Sequence, residues 1–200
     1  MTRQKSYHHG DLRQALLDTG LAMLEEGGVE GLTLRKLAAR VGVSHAAPEH
    51  HFPSLKHLTT AFAVEGFRLF AASMRAAMGT APQDPAEQLR AALRGYLAFA
   101  AARPHLFRLM FTATRLDWDD PALEQPATAA HAVLEEVSLP VARRMKLDTP
   151  EGRAAVEQLV WSQIHGHAHL MIDGKLPPEG GAGCEPFAAP LDLASMLLPE

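Results

Sequence analysis

Apolar residues recur along most of this chain with the three- and four-residue spacing of amphipathic helices, and no alternating β-branched runs predict strands. The first such stretch covers about residues 11–26, where leucines form one stripe and a Gly-Gly pair follows as a stop signal. Thr33 can cap a second helix that continues to a turn at Gly42, and a short third helix is predicted after Ser44. The N-terminal part therefore predicts three helices in close succession.

Longer helical patterns follow, and prolines mark most of their ends. The periodicity predicts a helix from about Ser54 to Met78, and then helices over residues 84–102, 104–114, 119–147, 150–173 and 191–198. Pro126 and Pro140 fall inside one of these helices, so a kink or a split is predicted there. The Pro/Gly-rich stretch 174–190 predicts a loop. The predicted fold is all-α, with about nine helices in total.

Composition limits the class of protein. The chain has 200 residues, of which 47% are hydrophobic, so it can bury a substantial core. Its one cysteine, Cys184, excludes an internal disulfide and fits a reducing compartment. No apolar run approaches the roughly 18 residues that span a membrane, and the N-terminus lacks the apolar segment of a signal peptide. These features predict a soluble cytoplasmic protein with no membrane partner.

Charge is distributed unevenly between the two ends of the chain. The formal net charge is -4. The first 60 residues carry seven Lys and Arg against six Asp and Glu, which gives +1, together with six histidines. The rest carries twelve bases against seventeen acids, which gives -5. This mild asymmetry permits a nucleic-acid partner at the N-terminal end, but it is far from decisive.

The segment that ends at Phe52 has the residue types of a helix-turn-helix. Ala38 is small where a second helix must cross the first, and Gly42, four residues later, tolerates the positive φ that the turn requires. Apolar residues flank both positions: Leu37, Val41 and Val43. An Ala-x-x-x-Gly pattern alone is common in helical proteins. The helix-turn-helix prediction therefore depends mainly on the position of this pattern, after a supporting helix and before the aromatic residue Phe52.

The stretch EGGVEGLTLRKLAARVGVSHAAPEHHFPSLKHL resembles the signature of the TetR/AcrR family of transcriptional regulators, over residues 9 to about 65. Further along, LVWSQIHGHAHLMIDGKL is similar to the Trp-His-Gly stretch of one subgroup of TetR-like C-terminal domains. The resemblance implies a helix-turn-helix DNA-binding domain at residues 1–53 and a helical ligand-binding and dimerisation domain at 54–200. It also implies a homodimeric repressor that leaves its palindromic operator when a small-molecule effector binds.

Carried onto this sequence, the resemblance implies a set of residues that contact double-stranded DNA. Thr33 and Arg35 begin the helix that crosses the phosphate backbone, and Ser44 opens the recognition helix. Phosphate contacts fix the position of the protein, whereas a residue such as His45 could read a base edge. The full predicted set is Thr33, Arg35, Ser44, His45, Ala46, Glu49, His50, His51 and Lys56.

Two positions depart from the family pattern. Glu49 stands where the family usually has a tyrosine that reaches a phosphate, and Leu55 stands where it usually has a lysine. Lys56 follows one residue later, roughly 100° around the helix. An acid in place of a phosphate donor predicts weaker binding, and Glu49→Tyr is predicted to tighten it. An alternative therefore stays open, in which a TetR-like helical protein with weakened or lost DNA binding acts as an adaptor or antagonist.

Aromatic residues concentrate in the predicted C-terminal helices, where a ligand pocket needs apolar walls and a few polar groups. The predicted ligand-binding set is Phe99, Phe107, Phe111, Trp118, Trp161 and His165. Each of these could instead be an ordinary core residue.

Other chemistry finds less support in the sequence. His165 and His169 lie one helical turn apart and could bind a metal together with His131 or an acid. Convincing third and fourth ligands are missing, so neither a metal nor another cofactor is predicted. The chain lacks G-x-S-x-G, H-E-x-x-H and phosphate-binding glycine motifs, so no enzyme is predicted.

Overall fold

The computed structural model of the protein describes residues 9–112, 114–176 and 195–198, and within these ranges it contains helices and no strand. Its α-helices are α1 (His9–Gly27), α2 (Leu34–Val41), α3 (Leu55–Gly79), α4 (Pro85–Ala102), α5 (Pro104–Met110), α6 (Pro121–Arg144) and α7 (Pro150–Ile172). Short 3-10 helices at Val29–Gly31 and Pro48–His50 lie before and after α2. The predicted all-α fold is confirmed. None of the described helices is long and apolar enough to cross a membrane.

Side-chain caps fix where several of these helices begin. The Thr33 hydroxyl accepts a hydrogen bond from the Lys36 amide at 3.1 Å, as the sequence predicted for the start of α2. Asp84 and Thr149 cap α4 and α7 in the same way, and a proline occupies the first turn of each. These local signals explain why the predicted starts agree with the structure to within one or two residues.

Two predicted elements differ from the structure, and a third is described only in part. The short helix expected after Ser44 is a turn through Ala47, closed by an Ala47 amide to Ser44 carbonyl bond of 3.0 Å, followed by the 3-10 helix that begins at Pro48. Pro48 has no N–H to donate back to Ser44, which disfavours a regular α-helix at this point. The helix predicted over 104–114 ends at Met110. Of the final helix predicted over 191–198, only Ser195 to Leu198 are described, and Cys184 lies outside the described residues.

Helix α6 is continuous through Pro126 and Pro140, so of the predicted kink or split the split is excluded, and the kink stays a prediction. Each internal proline costs the helix a hydrogen bond and about 3 kcal/mol. The buried side chains of Val133, Val137 and Val141 lie along one face of α6 between and beyond the prolines. Burial of roughly 1.5 to 3 kcal/mol for each such side chain offsets the loss and keeps the helix in one piece.

The chain divides into two compact units. One comprises the described residues up to Gly66 together with those of His105–Leu123, and is called the N-terminal unit below. The other comprises Phe67–Pro104 and the described residues from Glu124 onward, and is called the C-terminal unit. The division into compact units does not test which residues bind DNA and which bind a ligand or form the dimer. The predicted functional boundary between residues 53 and 54 therefore stays a prediction.

Each unit has its own apolar core. In the N-terminal unit the buried side chains come from α1, α2, α3 and α5 and from Phe52 just before α3. Those of the helices include Leu16, Leu24, Leu37, Ala38, Phe62 and Phe107. In the C-terminal unit α4 crosses α3 closely at Gly95, where an added Cβ would lie 2.6 Å from the Met74 Cα. The Ser73 hydroxyl donates to the Gly95 carbonyl at 2.8 Å. This close crossing brings Phe70 of α3 against the aromatic residues of α4.

Candidate nucleic-acid interface and ligand site

The turn between α2 and the segment that follows has the geometry of a helix-turn-helix. Gly42 adopts a left-handed conformation with φ 82°, and its amide donates to the Ala38 carbonyl. Ala38 and Leu37 are fully buried, and Phe52 closes the segment with 2% of its surface exposed. An L-residue with a side chain is strained at this φ, which is why the turn requires glycine. The sequence prediction for this turn agrees with the structure.

The predicted DNA-contacting residues occupy the exposed side of this motif. Buried neighbours on α2 and Phe52 anchor the motif from the other side. Only His51 of the set is partly buried; the exposed members are Thr33, Arg35, Ser44, His45, Ala46, Glu49, His50 and Lys56. Arg35 makes no ion pair or hydrogen bond with another described residue, so its guanidinium is available to an external anion.

Two other cations of the N-terminal unit, Arg40 and Lys56, already have acidic partners inside the chain. Arg40 forms a two-pronged ion pair with Glu26, and this bond holds the pKa of the Glu26 carboxyl below its ordinary value. Lys56 lies 3.1 Å from an Asp117 carboxylate oxygen, in the segment between α5 and α6. The predicted phosphate contact of Lys56 would therefore have to compete with an internal carboxylate.

The start of α3 is fastened to the same segment by neutral hydrogen bonds. The Thr59 hydroxyl donates to the Arg115 carbonyl at 2.7 Å, and the Asp117 amide donates to the Thr60 hydroxyl at 2.8 Å. Glu25 of α1 accepts from the first amides of α5, those of His105 and Leu106. Residues 105–117 are thus structurally part of the N-terminal unit, a feature with no local sequence signal.

The predicted ligand-binding residues do not all belong to the same compact unit. Phe107 and Phe111 lie in the N-terminal unit with ring centroids 5.2 Å apart, and Phe107 is fully buried. Trp118 lies in the same unit with 46% of its surface exposed. The other three predicted residues, Phe99, Trp161 and His165, lie in the C-terminal unit.

Within the C-terminal unit these three residues join one aromatic cluster around Tyr96. The Phe70 ring lies 4.6 Å from the Tyr96 ring and 5.2 Å from the Phe99 ring. The Tyr96 hydroxyl lies 2.8 Å from Nδ1 of His165, and Trp161 packs against His165 at 5.9 Å. The sequence prediction of the ligand site does not include Tyr96, although Tyr96 lies on α4 one helical turn before Phe99 and Ala100.

Burial decides the protonation of this cluster. Burial raises the pKa of the Tyr96 hydroxyl well above its ordinary value, and a hydrogen bond from Trp161 acts in the opposite sense. Burial, aided by the charge of neighbouring His169, lowers the pKa of His165 to about 4. At neutral pH the imidazole is therefore uncharged, so its Nδ1 can accept a hydrogen bond from the Tyr96 hydroxyl.

A groove of about 480 Å³ lies between α6 and α7, and none of the predicted ligand-binding residues lines it. Its lining consists of Ala132, Glu135, Glu136, Ser138, Leu139, Pro150, Arg153, Ala154 and Glu157. Beside it, His131 Nδ1 lies 3.0 Å from Glu157, and burial raises the pKa of that carboxyl. Among the described residues no three His, Cys, Asp or Glu side chains are placed to hold a metal ion.

Comparison with known proteins decides the family. Residues 16–61 match the model of bacterial regulatory proteins of the tetR family, and residues 89–189 match the tetracyclin repressor-like C-terminal domain. The nucleoid occlusion factor SlmA of Pectobacterium carotovorum is 31% identical over 164 residues, which is 80% of this chain and 80% of that protein. The chain belongs to the TetR family.

Solved structures support the same fold. A Rhodococcus sp. RHA1 protein of unknown function is similar with a TM-score of 0.79 and 27% identity, over 97% of each chain. The regulator AibR, solved in complex with isovaleryl coenzyme A and operator DNA, is similar with a TM-score of 0.62 and 16% identity, over 94% of this chain and 98% of that one. TetR family membership places this chain among DNA-binding regulators rather than enzymes.

Proposed function

We propose that this TetR family protein is a homodimeric repressor that binds a palindromic operator and releases it when a small ligand binds the C-terminal helical domain. The observation that carries the proposal is the left-handed turn at Gly42, between α2 and an exposed polar segment. Thr33 caps α2, and the buried residues Leu37 and Ala38 of this helix anchor it to the core. An exposed segment held on a rigid scaffold in this way suits the major groove of DNA. Such a protein acts where the chromosome is, in the bacterial cytoplasm.

The proposed DNA contacts follow from position and chemistry. Thr33 and Arg35 at the start of α2 contact phosphates, and His50, His51 and Lys56 contribute from the far side of the recognition segment. Base edges are read from the segment between, which begins at Ser44, His45 and Ala46.

The proposed regulatory site is centred on the C-terminal unit. Phe99, Trp161 and His165 cluster around Tyr96, where apolar rings surround an uncharged imidazole. Such a mixture of apolar wall and polar group suits a small organic ligand. The Trp-His-Gly resemblance of α7 supports assignment to that subgroup of C-terminal domains. Trp161→Ala or His165→Ala should change ligand response or dimerisation more than DNA affinity.

Dimerisation is proposed to use the outer faces of α6 and α7. Val156, Val160 and Ile164 of α7 are buried in the unit, whereas Leu159 and Leu170 are 47% and 49% exposed. Isolated subunits rarely leave large apolar side chains on a long helix face without a partner. A second copy of the chain, related by a twofold axis, would cover both.

A salt titration tests the proposal. The DNA upstream of the gene is titrated with purified protein at several salt concentrations, and a specific complex is expected that weakens steeply as salt rises. Arg35→Ala should reduce the slope of log affinity against log salt by about two, because a dimer loses two phosphate contacts of about 0.9 each. Arg144→Ala, which removes an exposed arginine from the end of α6, is the matched control and should leave the slope unchanged.

A second candidate function is an adaptor or antagonist with weakened or lost DNA binding. Glu49 adds a negative charge to the recognition segment, and Lys56 is paired with Asp117. The similarity to proteins named nucleoid occlusion factor also favours a role beyond simple repression. A folded dimer that gives no specific complex at low salt would select this candidate over the repressor.

A further inference from the structure

Most carboxylates of the N-terminal unit, among the described side chains, are matched by donors from the same unit. Three of them pair with cations, in the pairs Glu26–Arg40, Glu30–Arg115 and Asp117–Lys56. Glu25 accepts two backbone amides at the start of α5, and Asp18 accepts from the Gln14 amide at 2.8 Å. Most acids of this unit therefore have a cation or a hydrogen-bond donor as a partner within the same unit.

Glu49 and Asp119 do not follow this arrangement, and of the two only Glu49 lies on the recognition segment. Glu49 lies between Pro48 and His50 in the 3-10 helix of the recognition segment, and its side chain is exposed. No described residue forms an ion pair or a hydrogen bond with it. Pro48 beneath it is buried and holds the segment against the core, so Glu49 is presented outward from a fixed backbone.

A carboxylate at a protein–DNA interface has few favourable partners. It accepts hydrogen bonds and cannot donate them when ionised, so phosphate oxygens repel it. In the major groove the exposed donors are the N4 amine of cytosine and the N6 amine of adenine. The adenine amine lies next to the N7 acceptor, which repels a second acceptor, whereas cytosine pairs with Glu or Asp through N4.

We propose that Glu49 is a specificity-determining residue that accepts a hydrogen bond from the N4 amine of one cytosine in each operator half-site. This inference rests on the proposed function, because it requires the recognition segment to enter the major groove. Exposed His45 and His50 lie on the same segment and supply donors that Glu49 lacks. Glu49 thus fixes one base at the expense of affinity for DNA of arbitrary sequence.

The test begins with selection of duplexes from a random library by the wild-type dimer. A cytosine is expected at one symmetric position in both half-sites, and its replacement should weaken binding about tenfold to a hundredfold. N4-methylcytosine at that position keeps Watson–Crick pairing but removes the amine hydrogen that faces the major groove. It should weaken the wild type to a similar extent and leave Glu49→Ala unaffected.

Two variants and one control complete the experiment. Glu49→Ala should bind the four bases at that position within about twofold of one another, and Glu49→Gln should prefer adenine, since Gln pairs with its N6 and N7. Asp119→Asn removes another exposed acid of the same unit, outside the recognition segment, and should keep the cytosine preference. Circular dichroism and sedimentation establish that each variant is a folded dimer.

The outcomes separate this inference from the proposed function. If the wild type selects no sequence at low salt, the proposed function fails and the inference fails with it. If the wild type selects an operator and Glu49→Ala keeps every base preference, the inference alone is overturned. Uniformly tighter binding by both Glu49 variants, with unchanged preferences, would also overturn it, because the acid would then act only by repulsion.

Discussion

The two compact units differ in the chemistry that they leave exposed. On the N-terminal unit the exposed residues around the Gly42 turn are polar, and they include Arg35, Ser44, His45 and Glu49. On α7 of the C-terminal unit the exposed residues include Leu159, Trp161 and Leu170. The first surface suits a hydrogen-bonding, charged polymer, and the second suits another apolar surface. The difference fits the proposed division, in which DNA recognition and dimerisation use separate parts of the chain.

The proposed division is tested most strongly by placing a charge on the exposed apolar face of α7. Leu159→Arg should weaken the dimer at least about a hundredfold, because a buried arginine without a partner costs several kcal/mol at the centre of an interface. Sedimentation equilibrium measures the change. Leu159→Met keeps the apolar character and should leave the dimer intact. A Leu159→Arg protein that remains fully dimeric would show that α7 is not the contact face.

The next prediction removes a charge from the polar surface of the N-terminal unit, at Glu49. Glu49→Tyr removes a negative charge and supplies a hydroxyl that can donate to phosphate, so binding to duplex without the preferred cytosine should tighten by about 2 kcal/mol. Fluorescence anisotropy at fixed salt measures this affinity. Unchanged binding would show that the side chain does not lie near the DNA, and weaker binding would show that the acid itself contributes to the complex.

The turn that presents the polar surface can be strained directly. Gly42→Ala should lower the free energy of unfolding by about 1 to 2 kcal/mol, since φ of 82° disfavours any residue with a Cβ. Chemical denaturation measures the loss. Gly27→Ala, at the end of α1 in open space and without a positive φ, is the control and should cause no comparable loss.

The C-terminal unit should respond to acid through His165. Its pKa is lowered to about 4 in the folded protein, while the unfolded chain has the ordinary value near 6.5. The unfolded state therefore binds more protons between these values, and stability falls as pH falls from about 6.5 to 4. Allowing for partial exposure of the ring, about 1 kcal/mol should be lost by pH 5.

Thermal unfolding at pH 7 and pH 5 measures this loss. The decrease in Tm should be smaller in His165→Gln, whereas His50→Gln, at an exposed position, should behave as the wild type. An identical decrease in all three proteins would assign the acid sensitivity to other groups.

The smallest expected effect concerns the ion pair at the start of α3. Asp117→Asn leaves Lys56 free to contact phosphate, and DNA binding should tighten about two- to fivefold, as suits an exposed pair worth less than 1 kcal/mol. The same titration in the double variant Lys56→Met/Asp117→Asn should remove the gain. A gain that persists without Lys56 would mean that Asp117 acts only through its own charge.

Local signals in the sequence determined the helical class, most helix starts and the DNA-recognition turn. Thr33, Asp84 and Thr149 cap helices with their own side chains, and Gly42 is required by the φ of its own residue. Such features depend on neighbours within a few positions, so they can be read from sequence. Pro48 is also a local signal, because it lacks the N–H that a helix starting after Ser44 would use. The helix predicted there conflicts with this signal.

Tertiary structure alone decided which distant residues meet. Lys56 and Asp117 are 61 positions apart, as are Arg75 and Glu136, and Tyr96 reaches His165 across 69 positions. Helical periodicity identifies which face of a helix is apolar, but it does not specify which helix that face will contact. The pairing of charges in the N-terminal unit, and the burial that keeps His165 uncharged, therefore depend on packing between segments that the sequence pattern does not connect.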